Sequence, residues 1–174
     1  MRGSDMEKHV GSAKRSVVIN TNIETVWKKL NKITKLDWLE EQKSSKFLSQ
    51  KKYGVGAIRL ISFEDGSNIE EHIVDWFPKK SFSYIAITGL PLLAYLATIS
   101  MERTGNGKVK VTWQSYFVSD KKKKEFLEFS KFLNQFYSKS LQNLKSDIQR
   151  NYHVNMYFYF FYCMLFSFFC QSNK

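Results

Sequence analysis

The chain has 174 residues, a formal net charge of +11 at pH 7 and 16% aromatic residues. That length supports one domain burying about two-thirds of its unfolded surface and excludes two ordinary domains, while the charge favours acidic partners without naming one. Both cysteines, Cys163 and Cys170, fall in the last stretch. The body therefore needs no internal disulfide and no oxidising compartment, and a cytoplasmic location is expected.

Residues 1–13 are mostly polar, lack the apolar segment of a signal peptide and are expected to form a disordered leader. The opening Met1-Arg2-Gly3-Ser4 reads either as an expression leader, with Met6 the natural start, or as native sequence. A single domain is expected over 14–150, starting with a short strand over 14–20, KRSVVIN. Thr21 and Glu24 have capping-box spacing, which predicts a helix over 23–31 with Val26, Trp27 and Leu30 as its apolar face. A second short helical turn is expected over 34–41, carrying Leu36, Trp38 and Leu39. The first strand after it is expected over 45–50.

Glu64-Asp65-Gly66 reads as a three-residue hairpin loop with glycine in the left-handed third position. It would set Phe63 opposite Ser67, Ile61 opposite Ile69, Arg59 opposite Glu71 and Ala57 opposite Ile73. A two-residue turn would flip the relation between the two strands' faces and scatter the isoleucines. Gly105-Asn106-Gly107 follows the same logic, pairing Met101 with Val111, Ile99 with Trp113, Ala97 with Ser115 and Tyr95 with Phe117. Between these hairpins, 77–80 (FPKK) is a turn and 81–88 a strand whose facing stays open, because Phe82/Tyr84 and Ile85/Ile87 are both apolar pairs.

At 100° per residue Phe126, Phe129, Leu133, Tyr137, Ser140 and Leu144 form one stripe of a last helix over 121–150, flanked by Phe136 and Ile148. Asp120 is its expected cap. Lys121 to Lys124 oppose the helix dipole, so they read as a solvated face or as a contact for an anionic surface. The aromatic-rich tail, 151–174, contains MYFYFFYCMLFSFFC, fifteen residues without charge. As a helix this segment extends roughly 22 Å, short of a hydrocarbon core of about 30 Å. It reads as a membrane-touching tail, as a segment docked on the body, or as sequence without a selected role.

The stretch 54–117, with GVGAIR, DG, IEEHIVDWFP, the Tyr84 strand, TGLP, Tyr95, GNGKVKVTW and Phe117, resembles the polyketide cyclase/dehydrase-like branch of the START or SRPBCC (Bet v 1-like) superfamily. INTNIETVWKKL resembles that family's first strand and helix, SLQNLKSDI the end of its last helix, and the likeness covers about 15–149. The resemblance implies an α+β helix-grip fold, a seven-stranded antiparallel sheet curved around a long C-terminal helix with an apolar cavity between them. Relatives bind lipids, hormones or polyketides there, and some catalyse cyclisation or dehydration. The family's basic and acidic positions match Arg59 and Glu71. Thr21-Asn22 replaces the family's proline-containing cap. Ser140 stands where a small residue, often glycine, is usual, and would narrow the cavity or add a hydroxyl to it.

A cavity lined by Trp27, Tyr95, Ile99, Met101, Trp113, Phe129, Leu133 and Phe136 would take a flat or greasy ligand, with Arg59 and Glu71 orienting its polar end. The same side chains would equally fill a solid core, and Arg59 with Glu71 would equally be a cross-strand ion pair. Arg59 is expected to lower the pKa of Glu71 and keep it a permanent carboxylate. His9, His72 and His153 are scattered, no pair of His or Cys has metal-ligand spacing, and no glycine-rich loop leads into a helix. No catalytic residue, metal or cofactor is therefore expected.

Three functions follow. The first is a carrier of a hydrophobic small molecule. The second is an enzyme of the cyclase/dehydrase type acting in the same cavity. The third is a basic protein acting on membranes, through the tail, or on nucleic acid, the less expected partner.

Overall fold

Tight loops closed by glycine at their third position fix how two pairs of strands meet. The computed structural model describes residues 8–105 and 107–171, with side chains as far as residue 150. Expectations for residues 1–7 and for the side chains of the tail lie outside the described residues. The chain runs β1 (His9–Asn20), α1 (Ile23–Leu30), β2 (Gln42–Phe47), β3 (Ile58–Phe63), β4 (Asn68–Phe77), β5 (Ser81–Thr88), β6 (Ala94–Arg103), β7 (Lys108–Ser119) and α2 (Lys123–Gln171).

In the β3–β4 hairpin Gly66 takes φ +85°, and the Phe63 amide donates to the Ser67 carbonyl at 2.9 Å. Arg59 pairs with Glu71 and Ile61 with Ile69, the register read from the loop. The β6–β7 hairpin likewise pairs Met101 with Val111, Ile99 with Trp113, Ala97 with Ser115 and Tyr95 with Phe117. All seven strands join one curved antiparallel sheet in the order β1-β7-β6-β5-β4-β3-β2. Bulges in the β4–β5 pairing settle the facing of β5, with Phe82 and Tyr84 buried and Ile87 exposed.

α2 lies against the sheet with Leu133, Tyr137, Ser140, Leu141, Leu144 and Ile148 buried. Each fully buried leucine on this face contributes about 1.5–3 kcal/mol by leaving water. Phe126, Phe129 and Phe136 are half-buried at the edges of the same stripe. Lys121, Lys122, Lys123 and Lys124 are all exposed. Among the described residues no helix is long and apolar enough to cross a membrane.

Several expected boundaries move. β1 begins at His9, so residues 9–13 are paired with β7 instead of forming a leader. Gly11 makes this extension fit, because a Cβ there would stand 2.6 Å from the Phe117 ring. Only one short helix follows β1. Over 34–41 the backbone makes separate turns, such as Leu39 N–H to the Leu36 carbonyl at 2.7 Å, and Glu41 adopts φ +55°. The cap of α1 is Asn22, whose Oδ1 accepts from the Thr25 amide at 2.8 Å, while the buried Thr21 hydroxyl has no partner among the described residues. α2 starts at Lys123, three residues past Asp120, so Asp120 is not its immediate cap. β2 lies three residues earlier than expected, and Ser49 Oγ beyond it accepts from the Ile58 amide.

Candidate functional site

Sheet and α2 do not close completely on one another, and a cavity of about 280 Å³ remains between them. Its inner wall carries Arg59 and Glu71 with Tyr84, Tyr95 and Tyr137; Ile61, Ile99, Trp113, Leu133 and Phe136 make much of the rest. Asp65, Ser67, Pro91 and Phe132 also line it and are exposed. The cavity therefore opens between the β3–β4 loop, the β5–β6 loop and the first turns of α2. Gly89 holds this mouth in shape: it takes φ +94°, and a Cβ there would fall 1.9 Å from the Asn68 carbonyl oxygen.

Arg59 and Glu71 are brought together by the hairpin register and buried by what covers it. Arg59 is 3% and Glu71 6% exposed. Arg59 Nε donates to Glu71 Oε2 at 2.7 Å, Nη2 lies 2.6 Å from the same oxygen, and Nη1 donates to the Ile33 carbonyl at 2.7 Å. The guanidinium carbon also sits 5.0 Å from the Tyr84 ring centroid. Burial raises the pKa of Glu71, and the attraction of Arg59 offsets that only in part. The expectation of a lowered value weighed the ion pair alone and missed the depth of the site.

Three phenols converge on this pair. The hydroxyls of Tyr95 on β6 and Tyr137 on α2 are hydrogen-bonded to each other, and the Tyr137 ring stacks on Trp113 with centroids 4.1 Å apart. Burial is the main cause that raises the pKa values of Tyr84, Tyr95 and Tyr137. All three stay neutral donors or acceptors at ordinary pH. The indole N–H groups of Trp38 and Trp113, both in residues lining the cavity, have no acceptor among the described residues.

Eight of the ten side chains expected at the site line the cavity: Arg59, Glu71, Tyr95, Ile99, Trp113, Phe129, Leu133 and Phe136. Trp27 and Met101 do not. Met101 is buried far along β6, near its end at Arg103, and Trp27 on α1 packs edge-on against Trp76 at 5.1 Å. Ser140 does not line the cavity either, because its Oγ accepts from the Glu40 amide at 3.0 Å and ties the 34–41 segment to α2. Tyr84, Tyr137 and Trp38 were absent from the expected set. Tyr137 carried a signal, standing in the helix stripe between Leu133 and Ser140.

On the other side of β4, His72 Nε2 lies 2.7 Å from Glu70 Oε1, so neither joins Glu71 as an acid–base partner. Among the described residues, no group of three His, Cys, Asp or Glu side chains could hold a metal ion.

Solved structures share this architecture. Protein XoxI from Bacillus cereus is similar with a TM-score of 0.70 at 24% identity, over 80% of this chain and 96% of that one. A Bacillus thuringiensis protein described as uncharacterized is similar with a TM-score of 0.68 at 23% identity, over 80% and 99%. A protein of Nitrosospira multiformis gives 0.67 at 18% identity, over 79% and 96%. At these identities the likeness is one of fold. No curated protein matches the chain. The model of one family, described as polyketide cyclase/dehydrase and lipid transport, matches residues 11–149, the span that holds nearly all of the sheet and the part of α2 that covers it. The chain belongs to the polyketide cyclase/dehydrase and lipid transport family.

Proposed function

We propose that the protein binds and carries a hydrophobic small molecule, lipid- or polyketide-like, in the cavity between sheet and α2. The observation that carries this reading is a cavity of about 280 Å³ whose buried walls are aromatic and aliphatic apart from one ion pair, with the exposed Glu41, Asp65 and Ser67 also lining it. That volume lies near the lower end of the ~300–1,000 Å³ range of small-molecule sites, which favours a compact ligand or the head of a longer one. The ligand is expected to carry one polar end, because the cavity holds a buried charged pair among its apolar walls. Arg59 and Glu71 orient that polar end.

A second reading, a cyclase/dehydrase-type enzyme in the same cavity, is favoured by the raised pKa of Glu71, which moves a carboxyl toward the range useful for proton transfer. The carrier reading stands first because two of the three Arg59 nitrogens lie on Glu71 Oε2 and the third donates to the Ile33 carbonyl.

Native mass spectrometry of the purified protein tests the leading reading. A co-purified apolar molecule, absent from a Leu133→Trp variant that fills the cavity, is expected. A protein that arrives empty and binds no fatty acid or polyaromatic probe would overturn it. Turnover that is lost in Glu71→Gln while the ligand still binds would move the assignment to the enzyme.

A further inference from the structure

The chain has four tryptophans, and the fold sorts them into two pairs. Trp38 and Trp113 line the cavity. Trp27 and Trp76 line a separate groove of about 570 Å³, more open than the cavity and sharing no lining residue with it. This groove lies where α1 ends and β2 and β4 run out, so the length of the β3–β4 hairpin separates it from the cavity mouth at Asp65. Only a thin wall divides the two spaces: the Ile33 carbonyl that accepts from Arg59 belongs to a residue of the groove.

The chemistry of the groove differs from that of the cavity. Its floor is ring-lined, with Trp27 edge-on to Trp76 at 5.1 Å, Phe47 at the end of β2, and Tyr53 left 70% exposed. Its rim is cationic, formed by Lys32, Lys35 and Lys52, and no lining residue is acidic. Among the described residues Lys29 is matched to Asp37 and Asp147, Lys110 to Glu102 and Lys139 to Glu40. Lys32, Lys35 and Lys52 have no such partner among the described residues. The Lys52 ammonium instead donates to the Ser49 carbonyl at 3.0 Å and lies 4.9 Å from the Phe47 ring centroid. Ammonium groups without a carboxylate partner beside an exposed aromatic ring attract an anion that also has a flat ring to stack, since ring stacking and charge then act on one molecule.

We propose that this groove is a second binding site, taking a planar aromatic molecule that carries a carboxylate, sulfonate or phosphate. Tyr53 and the partly exposed Phe47 and Trp76, which covers the buried Trp27, supply the stacking surface, and Lys32, Lys35 and Lys52 hold the anionic group. The site is independent of the cavity and of the ligand assigned there.

The two tryptophan pairs make the sites separately readable. In a ¹H–¹⁵N spectrum of the full chain, with each indole assigned by single Trp→Phe replacement, naphthalene-2-sulfonate is expected to shift the Trp27 and Trp76 signals. Added salt weakens that binding. Replacing the exposed Lys32 and Lys35 together (Lys32→Glu, Lys35→Glu) raises the dissociation constant about tenfold or more, with an unchanged circular dichroism spectrum. Neutral naphthalene is expected at Trp38 and Trp113 instead. Sulfonate binding that leaves Trp27 and Trp76 unmoved, or that survives the charge reversal undiminished, overturns the second site. Failure of naphthalene to reach Trp38 and Trp113 counts against the cavity assignment alone.

Discussion

Arg59 places two guanidinium nitrogens on a single oxygen of Glu71 and the third on the carbonyl of Ile33, so one buried side chain ties β4 and the segment after α1 to β3. Removing one charge of such a pair strands the other away from water. Arg59→Met is expected to destabilise the protein by about 3–5 kcal/mol, and Arg59→Met combined with Glu71→Met to recover most of that loss. Urea denaturation of both variants measures it. A double variant no more stable than the single one would show that stranded charge is not the cause.

Glu71 also gives stability a pH dependence of known sign. Its folded-state pKa is raised, so the native state holds its proton to higher pH than the unfolded chain does. The contribution of this group is fully present below its unfolded value, about 4.3, and is lost as pH rises through the raised folded value. The stability difference between the parent protein and Glu71→Gln should therefore fall with rising pH in that window. A difference that rises instead would mean that Arg59 outweighs burial.

The phenols act at the alkaline end. Because Tyr84, Tyr95 and Tyr137 are raised above the ordinary value of about 10, the stability they contribute is present below that pH and lost as pH climbs through their folded values. Absorbance titration at 295 nm should show these three of the nine tyrosines ionising only as the fold melts. All nine ionising together near pH 10 in the folded state would contradict the burial of the cluster.

Two glycines with similar backbone angles separate strain from contact. Gly66→Ala, at φ +85° with nothing within 4 Å of the added carbon, is expected to cost about 1–2 kcal/mol from the left-handed backbone alone. Gly89→Ala must also displace the Asn68 backbone, and should cost more and weaken ligand uptake through the mouth. Equal losses of Tm would show that the Asn68 contact yields freely.

Truncation after Arg150 is expected to leave cooperative melting in place. Within the described residues the core closes with Leu144 and Ile148 on α2, and the described strands pair without the tail. Loss of a cooperative transition would assign residues 151–174 a structural part.

The order of strands first and one long helix last, both hairpin registers and eight of the side chains that line the cavity were legible in the residues. Each rests on a local rule: glycine at the third loop position fixes a register, a register fixes the alternation of faces, and 100° per residue fixes the helix stripe. Opposition of Arg59 and Glu71 follows from the Gly66 loop once the grouping of the isoleucines selects the three-residue turn over the two-residue one. The face of β5 depended on bulges against β4 that no repeat in the sequence announces. The pairing of residues 9–13 depended on the space that Gly11 leaves for Phe117 and Phe126. Trp27 and Met101 have the composition of cavity residues, yet how far each lies along its element sent them elsewhere. Periodicity reports which way a side chain faces and not what it meets there. Whether the aromatic stripe filled a solid core or bordered a void, and whether burial or Arg59 governed Glu71, were settled only by the spacing of sheet and helix in three dimensions, because desolvation depends on every neighbour at once.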